Sequence, residues 1–210
     1  MTTTEQRRAP NGFNLVPPPG WDVIPLHTGT QEAMERIVQK AVRQLPVGFP
    51  KDDIPKARLR LTHEMKKVVR RARAKGGMTL YLPTERLHGV ALPVSIVASE
   101  PIEIPRVRPA SGPEAVLAAL ASEIRGAEMR LLDDTAALRS ERDVPADAAQ
   151  GVDVAHRQVE YLVPIPDSTP DRYLTFSFSA LIGPGSVPAF YVTLVELFDA
   201  VMSTFRWSYA

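Results

Sequence analysis

Residues 152–182 read VDVAHRQVEYLVPIPDSTPDRYLTFSFSALI, and their alternation decides the fold class. Successive side chains of a strand point to opposite faces, so a period of two marks a sheet with one buried and one wetted side. From Val152 to Ile165, the apolar Ala155, Val159, Tyr161 and Val163 alternate with His156, Gln158 and Glu160. From Arg172 the pattern repeats, with Leu174, Phe176, Phe178, Ala180 and Ile182 inward and Thr175, Ser177 and Ser179 opposite. Pro166 to Asp171 (PDSTPD) is a turn between them. Strands joined by so short a turn pair antiparallel, because a parallel crossover needs a dozen or more residues.

The flanking segments extend this pattern. Gly183 to Gly185 breaks the second strand, and Ser186 and Pro188 start a helix carrying Phe190, Tyr191, Leu194, Val195, Leu197, Phe198, Val201, Met202 and Phe205. Upstream, Glu128 to Leu132 and Ala136 to Arg142 read as another strand pair around Asp133-Asp134, and Pro145 to Gly151 is a loop. A helix opens at Ser111, Pro113 and Glu114, turns Val116, Leu117, Leu120, Ala121 and Ile124 inward, and ends before Gly126. Pro101, Pro105 and Pro109 make a connector. Met78 to Leu82 and Gly89 to Ser99 are strands separated by Pro83-Thr84.

The N-terminal third holds two amphipathic helices. The first is capped by Thr30 and buries Ala33, Met34, Ile37, Val38, Ala41, Val42 and Leu45 before Pro46 stops it. The second takes Asp52 or Asp53 as cap and Pro55 in its first turn, with Ala57, Leu61, Met65, Val68, Val69 and Ala72 as its apolar stripe and Gly76-Gly77 at its end. Before them, Trp21 to Leu26 is a strand with Trp21, Val23 and Pro25 on one face and Asp22 and Ile24 on the other, and Pro25 points to an edge position. Phe13 to Val16 is a short extended run, and residues 1–12 read as a flexible tail. The order ββ-αα-ββ-α-ββ-ββ-α predicts an α+β protein, an antiparallel sheet flanked by helices. With no internal repeat and no break in composition, residues 13–210 are expected to form one domain.

A Trp-containing strand (Trp21 to Leu26), an amphipathic helix from Thr30, the aromatic-rich hairpin Val152 to Ile182 and the terminal stretch Leu197 to Trp207 together resemble the PsbP-like fold, an α/β/α sandwich. The pattern is similar to that of actinobacterial LpqN-type proteins. The resemblance implies a domain that acts by binding another macromolecule. LpqN-type proteins carry a signal peptide and a lipidated cysteine, and this sequence shows neither.

Composition narrows the function classes. Of 210 residues none is cysteine, which removes disulfides, cysteine-ligated metals and cysteine nucleophiles. The polar start MTTTEQRRAP lacks the apolar core of a secretory signal, and no apolar run approaches the ~20 residues that span a bilayer, so a cytoplasmic protein is expected. Arginine outnumbers lysine and alanine is abundant, a bacterial flavour. The net charge is only +1, yet Lys56 to Lys75 holds nine basic residues and one acid, Glu64.

Chemistry-bearing motifs are sparse. His63-Glu64 begins a zinc-helix pattern, but Lys67 stands where the second histidine is required. His156 falls on the wetted strand face. There is no nucleophile elbow, Walker loop or dinucleotide-binding glycine motif. Gly183-Pro184-Gly185-Ser186 precedes a helix, but prolines remove the amide donors a phosphate cradle uses. Asp133 and Asp134, adjacent on a strand, point apart and read as a turn. No catalytic residue, cofactor site or metal site is assigned.

The second helix offers the one charged surface. Lys56, Arg60, Lys67, Arg71 and Lys75 lie on one flank and Lys66, Arg70 and Arg73 on the next. Such a face is either a solvated exterior favoured by the helix dipole or a patch for an acidic protein partner, with Lys66, Lys67, Arg70, Arg71 and Arg73 at its centre. The absence of interleaved aromatics disfavours nucleic acid, and the lack of Trp or Phe disfavours lipid insertion. A non-enzymatic accessory or adaptor protein of a bacterial assembly is the expected function. The alternatives are a small-molecule or lipid pocket between the sheet and the C-terminal helix, and an enzyme with scattered site residues.

Overall fold

In chain order the computed structural model contains β1 (Gly12–Asn14), β2 (Trp21–Pro25), α1 (Thr30–Arg43), α2 (Ile54–Ala74), β3 (Gly77–Pro83), β4 (Val94–Ser99), α3 (Pro113–Glu123), β5 (Glu128–Leu132), β6 (Thr135–Val144), β7 (His156–Pro164), β8 (Tyr173–Leu181), α4 (Pro188–Ser203) and β9 (Arg206–Ser208). It describes residues 9–87, 89–100, 112–147, 154–168, 171–183 and 187–209. Residues 1–8 of the tail expected over 1–12, the connector through Pro101, Pro105, Pro109 and Ser111, and residues 148–151 of the loop lie outside these. So do Thr169-Pro170, Pro184 to Ser186 and His88. Gly12, at the end of the expected tail, belongs to β1. The fold is α+β with antiparallel strands flanked by helices, as the alternation predicted. The residues divide into two compact units, one of Pro19–Ser99 and one of the described residues up to Pro18 and from Glu100 onward.

In the first unit β2, β3 and β4 pair antiparallel, with Ile24 opposite Leu80 and Leu80 opposite Val97. β2 is a terminal strand, the position where Pro25 costs no ladder bond. Ile24, Leu26 and Leu80 pack against Ala33, Met34, Ile37 and Val38 of α1 and Met65, Val69 and Ala72 of α2. Full burial of each large aliphatic side chain contributes about 1.5–3 kcal/mol. The two faces of β2 alternate as expected: Trp21, Val23 and Pro25 are half-buried on one, and Ile24, which shares the other with Asp22, is buried together with Leu26.

Several local expectations change. Gly29, at φ +80°, is the N-cap of α1, and the Thr30 hydroxyl instead donates to the Pro25 carbonyl at 2.7 Å. Asp53 occupies the cap position of α2 and Pro55 the first turn, as expected, although the Asp53 carboxylate caps no backbone amide and accepts instead from Lys56 Nζ at 3.2 Å. Val68, at the margin of the apolar stripe, is exposed, and the expected strand from Gly89 begins only at Val94. α2 ends at two glycines with different jobs. Gly76 takes the left-handed φ of +74°, whereas a Cβ on Gly77 would lie 2.6 Å from the Ala72 carbonyl oxygen.

In the second unit β5, β6, β7 and β8 form an antiparallel meander in sequence order. Opposite residues share a face, so Tyr161 and Phe176 stand on one side and Leu138 and Leu162 on the other. α4 covers the first side. The Phe198 ring stacks on Phe178 at 5.0 Å and meets Tyr161 edge-on at 5.6 Å. α3 covers the second through Val116, Leu117 and Leu120 against Leu138 and Tyr173, whereas Ile124 is exposed. β1 pairs with β9, and Phe13, Phe176, Phe205 and Trp207 form a ring cluster. Phe205 lies beyond α4, which ends at Ser203. Of the long strand expected from Val152 to Ile165, β7 takes His156–Pro164, and Val152 and Asp153 lie outside the described residues. No helix among the described residues is long and apolar enough to cross a membrane.

Candidate functional site

α2 is 21 residues long and buries only Met65, Val69 and Ala72. Its remaining surface is free to carry charge. At 100° per residue, Lys66, Arg70 and Arg73 (i, i+4, i+7) share one flank, and Lys67 and Arg71 share the next. The five cations therefore do not form a single cluster. Lys66, Arg70 and Arg73 line an open groove of about 670 Å³, together with His63 and Val69 of α2 and with His27, Gly29, Thr30, Gln31, Glu32 and Met34. Lys67, half-buried, and Arg71, exposed, stand outside the groove lining.

Arg73 is spent on structure. Its Nε donates to the Leu26 carbonyl at 2.5 Å and its Nη2 to the Thr30 hydroxyl at 2.7 Å, tying the last turn of α2 to the corner where β2 enters α1. Thr30 passes the chain of bonds on to Pro25. Lys66 and Arg70 have no ion-pair or hydrogen-bond partner among the described residues. The groove thus sets three cations, of which only Arg73 is hydrogen-bonded among the described residues, and two imidazoles against one acid, Glu32. A smaller neighbour of about 330 Å³, lined by Gln31, Met34, Glu35, Val38, Gln39, Arg58 and Thr62, continues the same seam between α1 and α2.

Lys40 shows what a structural cation looks like here. Its ammonium donates to Glu85 at 2.9 Å, Asp22 at 3.1 Å and Thr84 at 3.2 Å. The Glu85 bond foremost, with Asp22, raises its pKa against burial, so it stays charged and has no free pair with which to act as a base. Desolvation works against the Asp22 carboxylate, but bonds from Thr84 and Lys40 outweigh it and hold its pKa below the usual carboxylate range.

The second unit contains a charged cluster that the sequence reading did not single out. Arg139 is buried in β6, its side chain 7% exposed. Its Nε donates to Asp199 Oδ1 of α4 at 2.9 Å, its Nη2 to Glu141 Oε2 at 3.0 Å, and the Tyr161 hydroxyl donates to the same Asp199 oxygen at 2.8 Å. Burial opposes the charged guanidinium, yet the two carboxylates more than compensate and raise its pKa. Burial, with the anionic Asp199, pushes the Tyr161 phenol up. Every member is partnered, and the cluster acts as a clamp between α4 and the sheet. The available signal was the register: Arg139 lies directly opposite the inward Tyr161.

His27 and His63 share the groove, while His156 sits half-buried at the start of β7 with Nδ1 3.3 Å from the Val154 carbonyl oxygen. Among the described residues no group of three or more His, Asp or Glu side chains is arranged to hold a metal ion. The place proposed for a pocket between the sheet and the C-terminal helix is filled by the rings of Phe178, Phe198 and Tyr161. The Asp133-Asp134 pair is a turn, with both residues at positive φ.

No family model matches the chain, and no match is found among curated proteins. Among solved structures, the chain is similar to LpqN of Mycobacterium tuberculosis, a protein involved in cell envelope biogenesis, at 10% identity and a TM-score of 0.46, over 97% of this chain and 87% of that one. It is also similar to the Saccharomyces cerevisiae Ran-binding protein Mog1p, at 14% identity and a TM-score of 0.37, over 62% of this chain and 79% of that one. At these identities the likeness is one of chain path, and no residue role is transferred.

Proposed function

We propose that this chain is a non-enzymatic binding protein, an accessory or adaptor of a bacterial cytoplasmic assembly, and that it docks an acidic surface of another protein on the α1–α2 face. The observation that carries this reading is the pair Lys66 and Arg70, unpartnered among the described residues beside His27 and His63 in an open groove. The half-buried Lys40 finds two carboxylates within the chain, Asp22 and Glu85. Lys66 and Arg70 find none among the described residues, and an acidic partner would supply one.

Exposed charges contribute mainly to encounter rate and selectivity, and their field is cut off within a Debye length of about 8 Å at physiological salt. Binding should therefore weaken steeply as salt rises. The test is affinity capture with immobilised wild-type protein and with a Lys66→Glu/Lys67→Glu/Arg70→Glu variant, the captured proteins being identified by mass spectrometry. Loss of a specific acidic protein from the variant supports the proposal. Equal recovery by both proteins at low salt refutes it.

A further inference from the structure

β5 is the outermost strand of its meander, and four of its five residues, Glu128 to Leu131, are exposed. Two of these are large and apolar: Met129 is 46% exposed and Leu131 69%. Edge strands in soluble proteins are ordinarily blunted by lysine, proline, a bulge or a covering element. β5 contains no lysine or proline, its two exposed charges, Glu128 and Arg130, pair with each other, and its register with β6 runs unbroken from Glu128–Arg139 to Leu132–Thr135.

The hairpin geometry fixes which backbone groups face the free edge. The two-residue turn Asp133-Asp134 makes Leu132 and Thr135 the closing hydrogen-bonded pair. By the alternation of an antiparallel ladder, Leu132, Arg130 and Glu128 then bond to β6, while the amides and carbonyls of Met129 and Leu131 point away from it. Met129 lies opposite Leu138, and so on the α3 side of the sheet. Ile124, just past α3, is exposed as well at 39%.

We propose that β5 is a self-association edge, pairing antiparallel with β5 of a second copy of this chain about a two-fold axis at Met129. In that register Met129 opposes Met129 and Ala127 opposes Leu131, both as hydrogen-bonded pairs that use the outward backbone groups. Glu128 of each copy opposes Arg130 of the other as a non-hydrogen-bonded pair, where side chains approach more closely. Charge complementarity therefore occurs twice, and the two Glu128–Arg130 ion pairs, one within each chain at 2.5 Å, are exchanged for two between chains. The register centred on Arg130 would instead set arginine against arginine, which like-charge repulsion disfavours. An interface of one short strand per copy is small, so the dimer is weak and forms at high protein concentration.

The test is analytical ultracentrifugation of the full chain up to submillimolar concentration. The wild type should dimerise, and Glu128→Arg and Arg130→Glu should each weaken association at least tenfold. An equimolar mixture of the two variants should associate as heterodimers, and the double variant Glu128→Arg/Arg130→Glu should recover the wild-type constant. Leu131→Lys, which removes apolar area without altering the charge pairs, should also give monomers. All these positions are exposed, and circular dichroism checks that the fold is kept. A wild type monomeric throughout the range overturns the proposal and leaves the edge to a heterologous strand. Single variants that associate like the wild type, or a mixture that stays monomeric, overturn it equally.

Discussion

Asp133 and Asp134 take φ of +46° and +59°, a left-handed conformation that costs a non-glycine residue about 1 kcal/mol. Asp133 offsets that cost, because its Oδ2 accepts from the Trp207 amide at 2.8 Å. Asp134 is exposed and has no such bond among the described residues. Asp134→Gly should therefore stabilise the protein by about 1 kcal/mol, raising Tm by about 2–4 °C in a scan, and a lowered Tm would contradict this. Gly77 is the opposite case. Gly77→Ala places a methyl against the Ala72 carbonyl and the Leu26 side chain and should cost about 1–3 kcal/mol by denaturant titration. Asp199→Ala should cost about 3 kcal/mol, since it deprives the buried Arg139 of one carboxylate and the Tyr161 hydroxyl of its acceptor.

Among the elements, α4 and α2 bury their surfaces in opposite ways. α4 buries Tyr191, Leu194, Val195, Phe198, Val201 and Met202, and Phe198→Ala should destabilise by about 3–5 kcal/mol. α2 buries three residues and leaves Lys66 and Arg70 exposed. The buried stripes were legible because a period of 3.6 or 2 records which side chains leave water, and Val159, Phe176 and Phe198 could be assigned inward from spacing alone. The groove was only half legible. Spacing gathered Lys66, Arg70 and Arg73 on one flank, but nothing in it joined them to His27 or told Arg73, bonded to Leu26 and Thr30, from its unpartnered neighbours. Those distinctions depend on contacts across 40 or so residues of chain, which a local period does not carry. The Arg139 clamp was hidden for the same reason, since Asp199 lies 60 residues away.

For the whole molecule, the surface ion pairs predict the response to acid. The Arg172 hydrogen bonds lower the pKa of Glu100, and those from Arg157 lower that of Asp143. A folded-state value below the unfolded one contributes stability that is present above the ordinary carboxylate range near pH 4 and is lost as pH falls through it. Unfolding free energy should decline below about pH 4, and Glu100→Gln should flatten that decline. We propose that residues 13–210 unfold as one domain although they divide into two compact units; one cooperative calorimetric transition is then expected, and two resolved transitions would contradict it. The central claim, that the α1–α2 groove receives acidic protein surface, is tested most directly by NMR titration of the isotope-labelled chain with a short polyglutamate peptide at low salt. Shifts should concentrate at His27, Thr30, His63, Lys66 and Arg70 and fade as salt is added; shifts centred elsewhere, or none, would contradict the account.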